Sequence, residues 1–340
     1  THREEESLVL ATIIATNGST YRKPGAMMLI DREGNFEGLI SGGCLEGDLL
    51  QHAEEVFDTG RYRYVTYDMH ADDNLVWNLG LGCDGVIHLL LQRLDRSDGF
   101  GFLQQLEKSH GSRDAVILAL LTSSQENPTT SAIGMVDQSD ISVGNKLLVE
   151  NINKLTDDWP SWRTRSKRIT IDNADAEILF IHMPAQTRVL ICGAGPDAVP
   201  VAEILAGIGW QVLLVDHRPA FARQDRFPDQ CRVVVARPGE LSDQVNLDDI
   251  DAAVVMSHHL ENDAVYLGQL ADHEIPYLGV LGPAARRKRL CELADCGSHE
   301  VFGPVGLDIG AELPESIALS LAAEIHAVLN DRTGVSLTRR

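Results

Sequence analysis

Thr187-Arg188-Val189-Leu190-Ile191-Cys192-Gly193-Ala194-Gly195-Pro196-Asp197-Ala198 sets the fold class of the C-terminal half. Its first six residues form an apolar run of the length of one buried strand. They lead directly into a G-x-G-x-x-A turn, and residues 199–206 then read as a helix. A second strand, 211–215, ends on Asp216. In this order each residue type has a task in a nucleotide-holding unit. Gly193 permits the tight turn, Gly195 lets backbone approach a pyrophosphate, and Ala198 keeps the helix close to the sheet. The helix N-terminus offers free N–H groups and a partial positive charge to an anion. Asp216 stands where a carboxylate accepts hydrogen bonds from ribose hydroxyls; the plainer alternative is a strand-end residue capping the turn before Pro219.

Further along, residues 232–236, 252–256 and 277–281 read as strands with helical stretches between them. This alternation predicts an α/β fold, a Rossmann-type doubly wound parallel sheet. Ligands of such sheets bind beyond the carboxyl ends of the strands. Those ends carry Asp216-His217-Arg218, Ser257-His258-His259 and Gly282-Pro283, which makes His217 a further candidate contact beside Gly193, Gly195 and Asp216. His258 and His259 are sequence neighbours without an HxxxH or CxxC companion, so capping and solvation around Ser257 is the favoured reading. Arg286-Arg287-Lys288-Arg289 spreads around a helix begun by Pro283; most of these charges are solvated, and one of them can reach an acidic partner or a phosphate. Cys291 and Cys296 lie five apart near a helix end, unsuited to a shared metal, and read as packing residues. A closing helix spans 314–329 and is expected to pack on this sheet.

A separate N-terminal α+β domain is expected over 1–185, with the Rossmann-type domain and its C-terminal helix over 186–340. Strands at 8–15 and 26–30 flank Thr16-Asn17-Gly18-Ser19-Thr20-Tyr21-Arg22-Lys23-Pro24-Gly25. Such a turn cradles an anion through amides and charge together, or is a long solvated hairpin. Gly38-Leu39-Ile40-Ser41-Gly42-Gly43-Cys44-Leu45-Glu46 reads as a strand meeting paired glycines, then a helix from 45 to 59 stopped by Gly60. Cys44 therefore lies at a helix N-terminus, where dipole and amides favour a thiolate. Gly80-Leu81-Gly82-Cys83-Asp84-Gly85 is a second glycine-flanked cysteine loop, feeding a strand at 86–91. A free cysteine is also a common small buried hydrophobe, so both readings stand at this point. Glu46 reads as a helix cap or as a proton acceptor near Cys44, capping being favoured. Between 96 and 186 the pattern is weaker, with strands suggested at 115–121, 131–136 and 177–182.

The bulk numbers exclude several classes. With 29 Lys+Arg against 50 Asp+Glu the formal charge is −21, so nucleic acid is a poor partner. No apolar run approaches the roughly 18 residues of a membrane-spanning helix, and residues 1–6 lack the apolar core of a signal peptide. The six scattered cysteines then read as reduced thiols of a cytoplasmic protein.

These motifs together resemble the XdhC/CoxI family of maturation factors for bacterial xanthine and carbon monoxide dehydrogenases. The resemblance rests on the motif 17–25, on Ser41-Gly42-Gly43-Cys44-Leu45-Glu46 and on Gly80-Leu81-Gly82-Cys83. In the second half it rests on Gly193-Ala194-Gly195, Val215-Asp216-His217-Arg218-Pro219 and Pro304-Val305-Gly306-Leu307-Asp308-Ile309-Gly310. It implies a chaperone, rather than a catalyst, that binds molybdenum cofactor (molybdopterin or its dinucleotide form). Such a protein supports sulfuration of the cofactor by a cysteine desulfurase and delivers it to a molybdenum hydroxylase apo-enzyme. Homo-oligomers are expected. On this reading Cys44 and Cys83 lie near the metal, flanked by Gly42, Gly43 and Gly82, and Arg22 and Lys23 contact the anionic groups. The Gly193–Gly195 turn, Asp216 and His217 would hold NAD(P), another nucleotide or a nucleotide-bearing form of the cofactor. The competing class is an NAD(P)-dependent oxidoreductase, which leaves the cysteine loops without a task; a cytidylyltransferase lacks a clear carboxylate pair beside a phosphate loop.

Overall fold

Alternation along one strand sets the layering of the N-terminal unit. The computed structural model describes residues 6–69, 85–98, 100, 103, 106, 115–124, 133–136, 141–143, 164–171 and 174–339. The chain divides into two units, Thr1–Ala185 and Gln186–Arg340. In the first, β1 (Ser7–Gly18), β2 (Met27–Ile30), β3 (Phe36–Gly38), β4 (Arg63–Asp68) and β5 (Gly85–Asp95) form an antiparallel sheet ordered β3-β2-β1-β5-β4. Val9, Ala11 and Ile13 of β1, with Ile87, Leu89 and Leu91 of β5, point to one face. There they meet Leu49, Ala53, Val56 and Phe57 of α1 (Glu46–Thr59). The spacing of these helix residues is the apolar stripe of an amphipathic helix. Leu10, Leu90 and Leu94 point to the opposite face, against Val116, Leu118, Leu120, Leu179 and Ile181. Those belong to a second antiparallel sheet of β6 (Val116–Ser124), β7 (Ile133–Val136), β8 (Ile141–Val143), β9 (Arg165–Ile171) and β10 (Ala174–Met183), ordered β8-β7-β6-β10-β9. The first sheet is thus a middle layer buried on both faces, which is why β1 and β5 carry near-continuous apolar runs.

The helix ends at Gly60, left-handed at φ 66° with its N–H donating to the Val56 carbonyl. Three strands (β4, β8 and β9) are not separated by sequence pattern. The strand expected to reach the paired glycines stops at Gly38, and residues 39–45 are irregular.

The second unit contains β11 (Arg188–Cys192), α2 (Ala198–Gly207), β12 (Gln211–Asp216), β13 (Arg232–Val235), β14 (Ala252–Val255), α3 (Leu260–Ala271), β15 (Tyr277–Val280), α4 (Ala284–Ala294) and α5 (Pro314–Leu329). All five strands are parallel, in the order β13-β12-β11-β14-β15, the doubly wound arrangement expected. Val189 and Ile191 face Val201, Leu205, Leu321 and Ile325 of α2 and α5. Leu190 and Cys192 face Tyr266, Leu267 and Leu290 of α3 and α4. Strand order reverses between β11 and β14. Gly193 is required there for contact as well as conformation: at φ 117°, a Cβ on it would lie 2.7 Å from the Met256 carbonyl and from Ser257 Cα.

Helix α5 is tied to β15 through Tyr277, which stacks on Phe302 with ring centroids 4.6 Å apart. Its hydroxyl donates to Glu324 Oε2 at 2.6 Å, and the same oxygen accepts from Gly306 N at 2.8 Å. Tyr277→Phe keeps the stack and removes one charge-assisted bond. It should lower the unfolding free energy by about 1.5–3 kcal/mol, read as a shifted urea midpoint at unchanged slope.

Candidate functional site

Two of the motifs singled out in the N-terminal unit, and the strand that follows a third, meet at one end of its first sheet. Strand β1 ends at Gly18, which pairs with Gly85, the first residue of β5. Strand β4 ends there too, Asp68 pairing with Val86. The turn carrying Arg22 and Lys23 thus leaves the sheet beside Gly85, where β5 begins. Gly85 itself sits against this turn: a Cβ on it would lie 2.6 Å from the Ser19 carbonyl and 2.8 Å from that of Asn17. Strand β3 runs in the same direction as β1 and leaves the sheet at Gly38, level with Ala11, and residues 39–45 lead from there to the start of α1. Asp48 in the first turn of α1 accepts from the Tyr67 hydroxyl at 2.6 Å, fixing that helix end beside the end of β4. Gly82 and Cys83 lie outside the described residues.

The Cys44 loop is held from beneath by one carboxylate. Glu46 is 3% exposed. Its Oε1 accepts from Ile40 N at 3.2 Å and Ser41 N at 2.7 Å. Its Oε2 accepts from Ser41 Oγ at 2.5 Å and Gly43 N at 3.1 Å. Ser41 Oγ in turn accepts from Cys44 N and Leu45 N, both at 3.1 Å. Gly42, Gly43 and Cys44 remain exposed on the crest. Burial raises the Glu46 carboxyl, yet the bonds from Ser41 and Ile40 outweigh it and hold the group below the usual carboxylate value. Glu46 is therefore neither a proton acceptor for Cys44 nor a side-chain cap in the ordinary sense. It is a clasp that sets the loop's shape, and Ser41 supplies the capping oxygen.

In the neighbouring turn, Thr20 is buried and its hydroxyl donates to the Arg22 carbonyl at 2.8 Å. Tyr21, Arg22 and Lys23 are exposed. An exposed thiol at a helix N-terminus thus shares a sheet end with two exposed cations, a combination suited to a soft metal centre carrying anionic groups. Among the described residues, no three His, Cys, Asp or Glu side chains come together as a metal-holding cluster.

The Rossmann crevice differs from its expected form. Asp216, 1% exposed, is not a free acceptor for ribose. Its Oδ2 accepts from Ala194 N and Arg218 Nη2, each at 2.8 Å. Its Oδ1 accepts from Arg218 N at 2.9 Å and Nε at 3.0 Å. Burial raises this carboxyl, but the Arg218 and Ala194 bonds win and hold it below its ordinary value. The carboxylate thus braces the glycine turn, and the arginine two residues on takes the place assigned to a ligand. His217 Nδ1 stands 3.4 Å from Asp216 Oδ1 without a hydrogen-bonding angle.

Over Gly195 lies another carboxylate, with Asp197 Oδ1 2.7 Å from where a Cβ would stand. Asp197 Oδ2 accepts from His258 Nε2 at 2.6 Å, joining the β11 and β14 loops across the point where strand order reverses. His258 sits at φ 62°, a left-handed backbone uncommon for such a residue. The helix cap expected around Ser257 is made by His259, whose Nδ1 accepts from Asn262 N. Ser257 bonds Asp263 instead. Of the basic run, Arg286 has the acidic partner, with Nη2 2.6 Å from Asp263 Oδ2. No helix among the described residues is long and apolar enough to cross a membrane.

Comparison with known proteins agrees with this geometry in both units. Residues 1–68 match the XdhC and CoxI family, and residues 189–325 match the XdhC Rossmann domain. The chain is 32% identical over 329 residues to a probable xanthine dehydrogenase subunit of Bacillus subtilis (strain 168), covering 95% of this chain and 93% of that one. It is 22% identical over 326 residues to the molybdenum cofactor insertion chaperone PaoD of Escherichia coli (strain K12), covering 94% and 83%. A crystal structure described as a xanthine dehydrogenase from Bacillus halodurans aligns with a TM-score of 0.79 at 29% identity, over 98% of this chain and 95% of that one. Likeness at this identity along nearly the whole length of both chains leaves one assignment, and the chain belongs to the XdhC and CoxI family.

Proposed function

We propose that this protein is a maturation factor that binds molybdenum cofactor and passes it to a xanthine dehydrogenase-type molybdenum hydroxylase. Support comes from the similarity to a molybdenum cofactor insertion chaperone together with one observation: the start of α1 below the Cys44 loop, the Arg22–Lys23 turn and Gly85, two residues after Cys83, meet at one end of the first sheet. In this reading the cofactor is cargo. The Cys44 and Cys83 thiolates take the soft metal, exposed amides of the glycine loops receive oxyanions, and Arg22 and Lys23 pair with the phosphate. A cysteine desulfurase supplies the sulfido ligand while the cargo is held, and the apo-hydroxylase receives it. Glu46 acts only by keeping the loop in its receiving shape. The second reading, an NAD(P)-dependent oxidoreductase, has the Gly193 turn in its favour. Against it stand the engagement of Asp216 by Arg218 and the Asp197 carboxylate over Gly195, which repels a pyrophosphate.

Anaerobic purification from a host that makes the cofactor tests the proposal, with molybdenum and oxidised-pterin fluorescence measured per chain. The expected result is near-stoichiometric cargo, falling about ten-fold in Cys44→Ala and several-fold in a double Arg22→Ala, Lys23→Ala variant. Wild-type protein that holds neither molybdenum nor pterin after incubation with free cofactor would overturn it.

A further inference from the structure

Cys291 and Cys296 read in sequence as packing residues, and the structure brings them together. Helix α4 ends at Asp295, a left-handed residue at φ 52° whose N–H donates to the Cys291 carbonyl. The next N–H, that of Cys296, donates to the same carbonyl at 3.3 Å. This is the six-to-one closure of a helix end, in which the first and sixth side chains are brought into contact across the reversal. The Cys291 thiol lies close enough to help raise the Cys296 thiol above its ordinary value, after burial. Both line a cleft of about 860 Å³ with Arg287, Lys288, His299 and Glu300. Cys296 is 7% exposed, whereas Cys291 is half-buried and open to the cleft. An accessible thiol beside a covered one is the arrangement of an attacking and a resolving cysteine.

We propose that Cys291 and Cys296 form a redox-active dithiol that low-molecular-weight disulfides of the glutathione type oxidise to an intramolecular disulfide. The Cys291 thiolate attacks one sulfur of the oxidant, whose S–S bond breaks and releases one thiolate. The resulting mixed disulfide faces Cys296. Cys296 gives its proton to the released thiolate or to solvent and attacks Cys291 Sγ, expelling the second small thiol. Two protein thiols become one disulfide, and the oxidant becomes two thiols. Burial and the Cys291 neighbour push the Cys296 thiol up to about 12, so it stays protonated until the mixed disulfide forms beside it. Ring closure spans six residues, at a helix end already folded back on itself, so little chain entropy opposes it. This inference does not depend on cofactor binding in the N-terminal unit.

The test incubates the full chain with oxidised glutathione, blocks remaining thiols with N-ethylmaleimide and maps peptides by mass. Trypsin leaves both cysteines in the single peptide 290–332. The expected peptide is lighter by two hydrogens and free of alkylator, labelling of Cys291 falls about ten-fold, and dithiothreitol restores it. Cys296→Ser should trap glutathione on Cys291, whereas Cys291→Ser should carry little of either product. Wild-type protein that accumulates glutathione on Cys291 without closing the ring, or that labels equally at both thiols after oxidation, overturns the proposal. Cys192, fully buried on β11, serves as the internal unreactive thiol.

Discussion

Glu46→Ala lowers the unfolding free energy of the N-terminal unit by about 3 kcal/mol, followed by far-UV circular dichroism in urea. The magnitude follows from what is stranded. Ile40 N, Ser41 N, Ser41 Oγ and Gly43 N all donate to this carboxylate, and hydrogen bonds to a charged group contribute about 1.5–3 kcal/mol each, with incomplete additivity. Ile40 and Ser41 are buried, so water replaces the lost acceptor poorly. Glu46→Gln should fall between wild type and alanine, because its amide presents donors where Gly43 N also donates. The pH dependence has a definite sign. The folded carboxyl lies below its ordinary value of 4.5, so its contribution is complete above that pH and is lost as pH falls through the lower folded value. The gap between wild type and Glu46→Ala should therefore narrow under acid. An alanine variant with an unchanged urea midpoint at pH 7 would show that the carboxylate does not hold the loop. On the proposed function, the same variant should also retain less molybdenum, since Cys44 N is held through Ser41 and Glu46.

Arg286→Ala in the Rossmann unit has an effect at least as large, about 3–5 kcal/mol, the range for breaking a buried ion pair from one side. Asp263 is 1% exposed and accepts from Ser257 N at 3.1 Å, Ser257 Oγ at 2.5 Å and Arg286 Nη2 at 2.6 Å. Without the guanidinium a buried negative charge loses its cationic hydrogen-bond partner while its two serine bonds persist. Adding Asp263→Asn to Arg286→Ala removes that charge and should recover part of the loss, so the two substitutions are strongly non-additive. Lys288→Ala and Arg289→Ala, exposed on the same helix, should stay within about 0.5 kcal/mol of wild type. Equal urea midpoints for Arg286→Ala and Arg289→Ala would falsify the assignment.

The run 286–289 shows where sequence stops informing. Four consecutive cations on a helix predict that most are solvated; Lys288 and Arg289 are exposed, while Arg286 reaches Asp263 and Arg287 the Val301 carbonyl. Which one reaches a carboxylate depends on where α3 places Asp263, and no pattern local to the run contains that distance. The same division holds across the molecule. Strand, turn and helix from 188 to 207 are local facts, written in run length, glycine spacing and the small residue Ala198, and the structure agrees within a residue or two. Helix α1 and its glycine stop are legible for the same reason. Strands β4 and β9 escape because their alternation is carried by few apolar residues among charged ones, and their pairing with β5 and β10 supplies what the residues alone do not.

At the sites, the residues in their order specify which chemistry is present: thiols in glycine loops, cations beside them, and a carboxylate at the end of a strand. Tertiary contacts select who engages whom. Asp216 reads identically whether its acceptors serve a ribose or Arg218, since a hydrogen bond is assigned by distance and angle. Glu46 and Ser41, five residues apart, become one clasp only when the loop folds over them. Cys291 and Cys296, which read in sequence as packing residues unsuited to a shared metal, come close because a left-handed residue turns the helix end back. Local conformational preference acts over a few residues and is encoded in them, whereas the partner of a polar group is chosen among all groups that folding brings within about 3 Å.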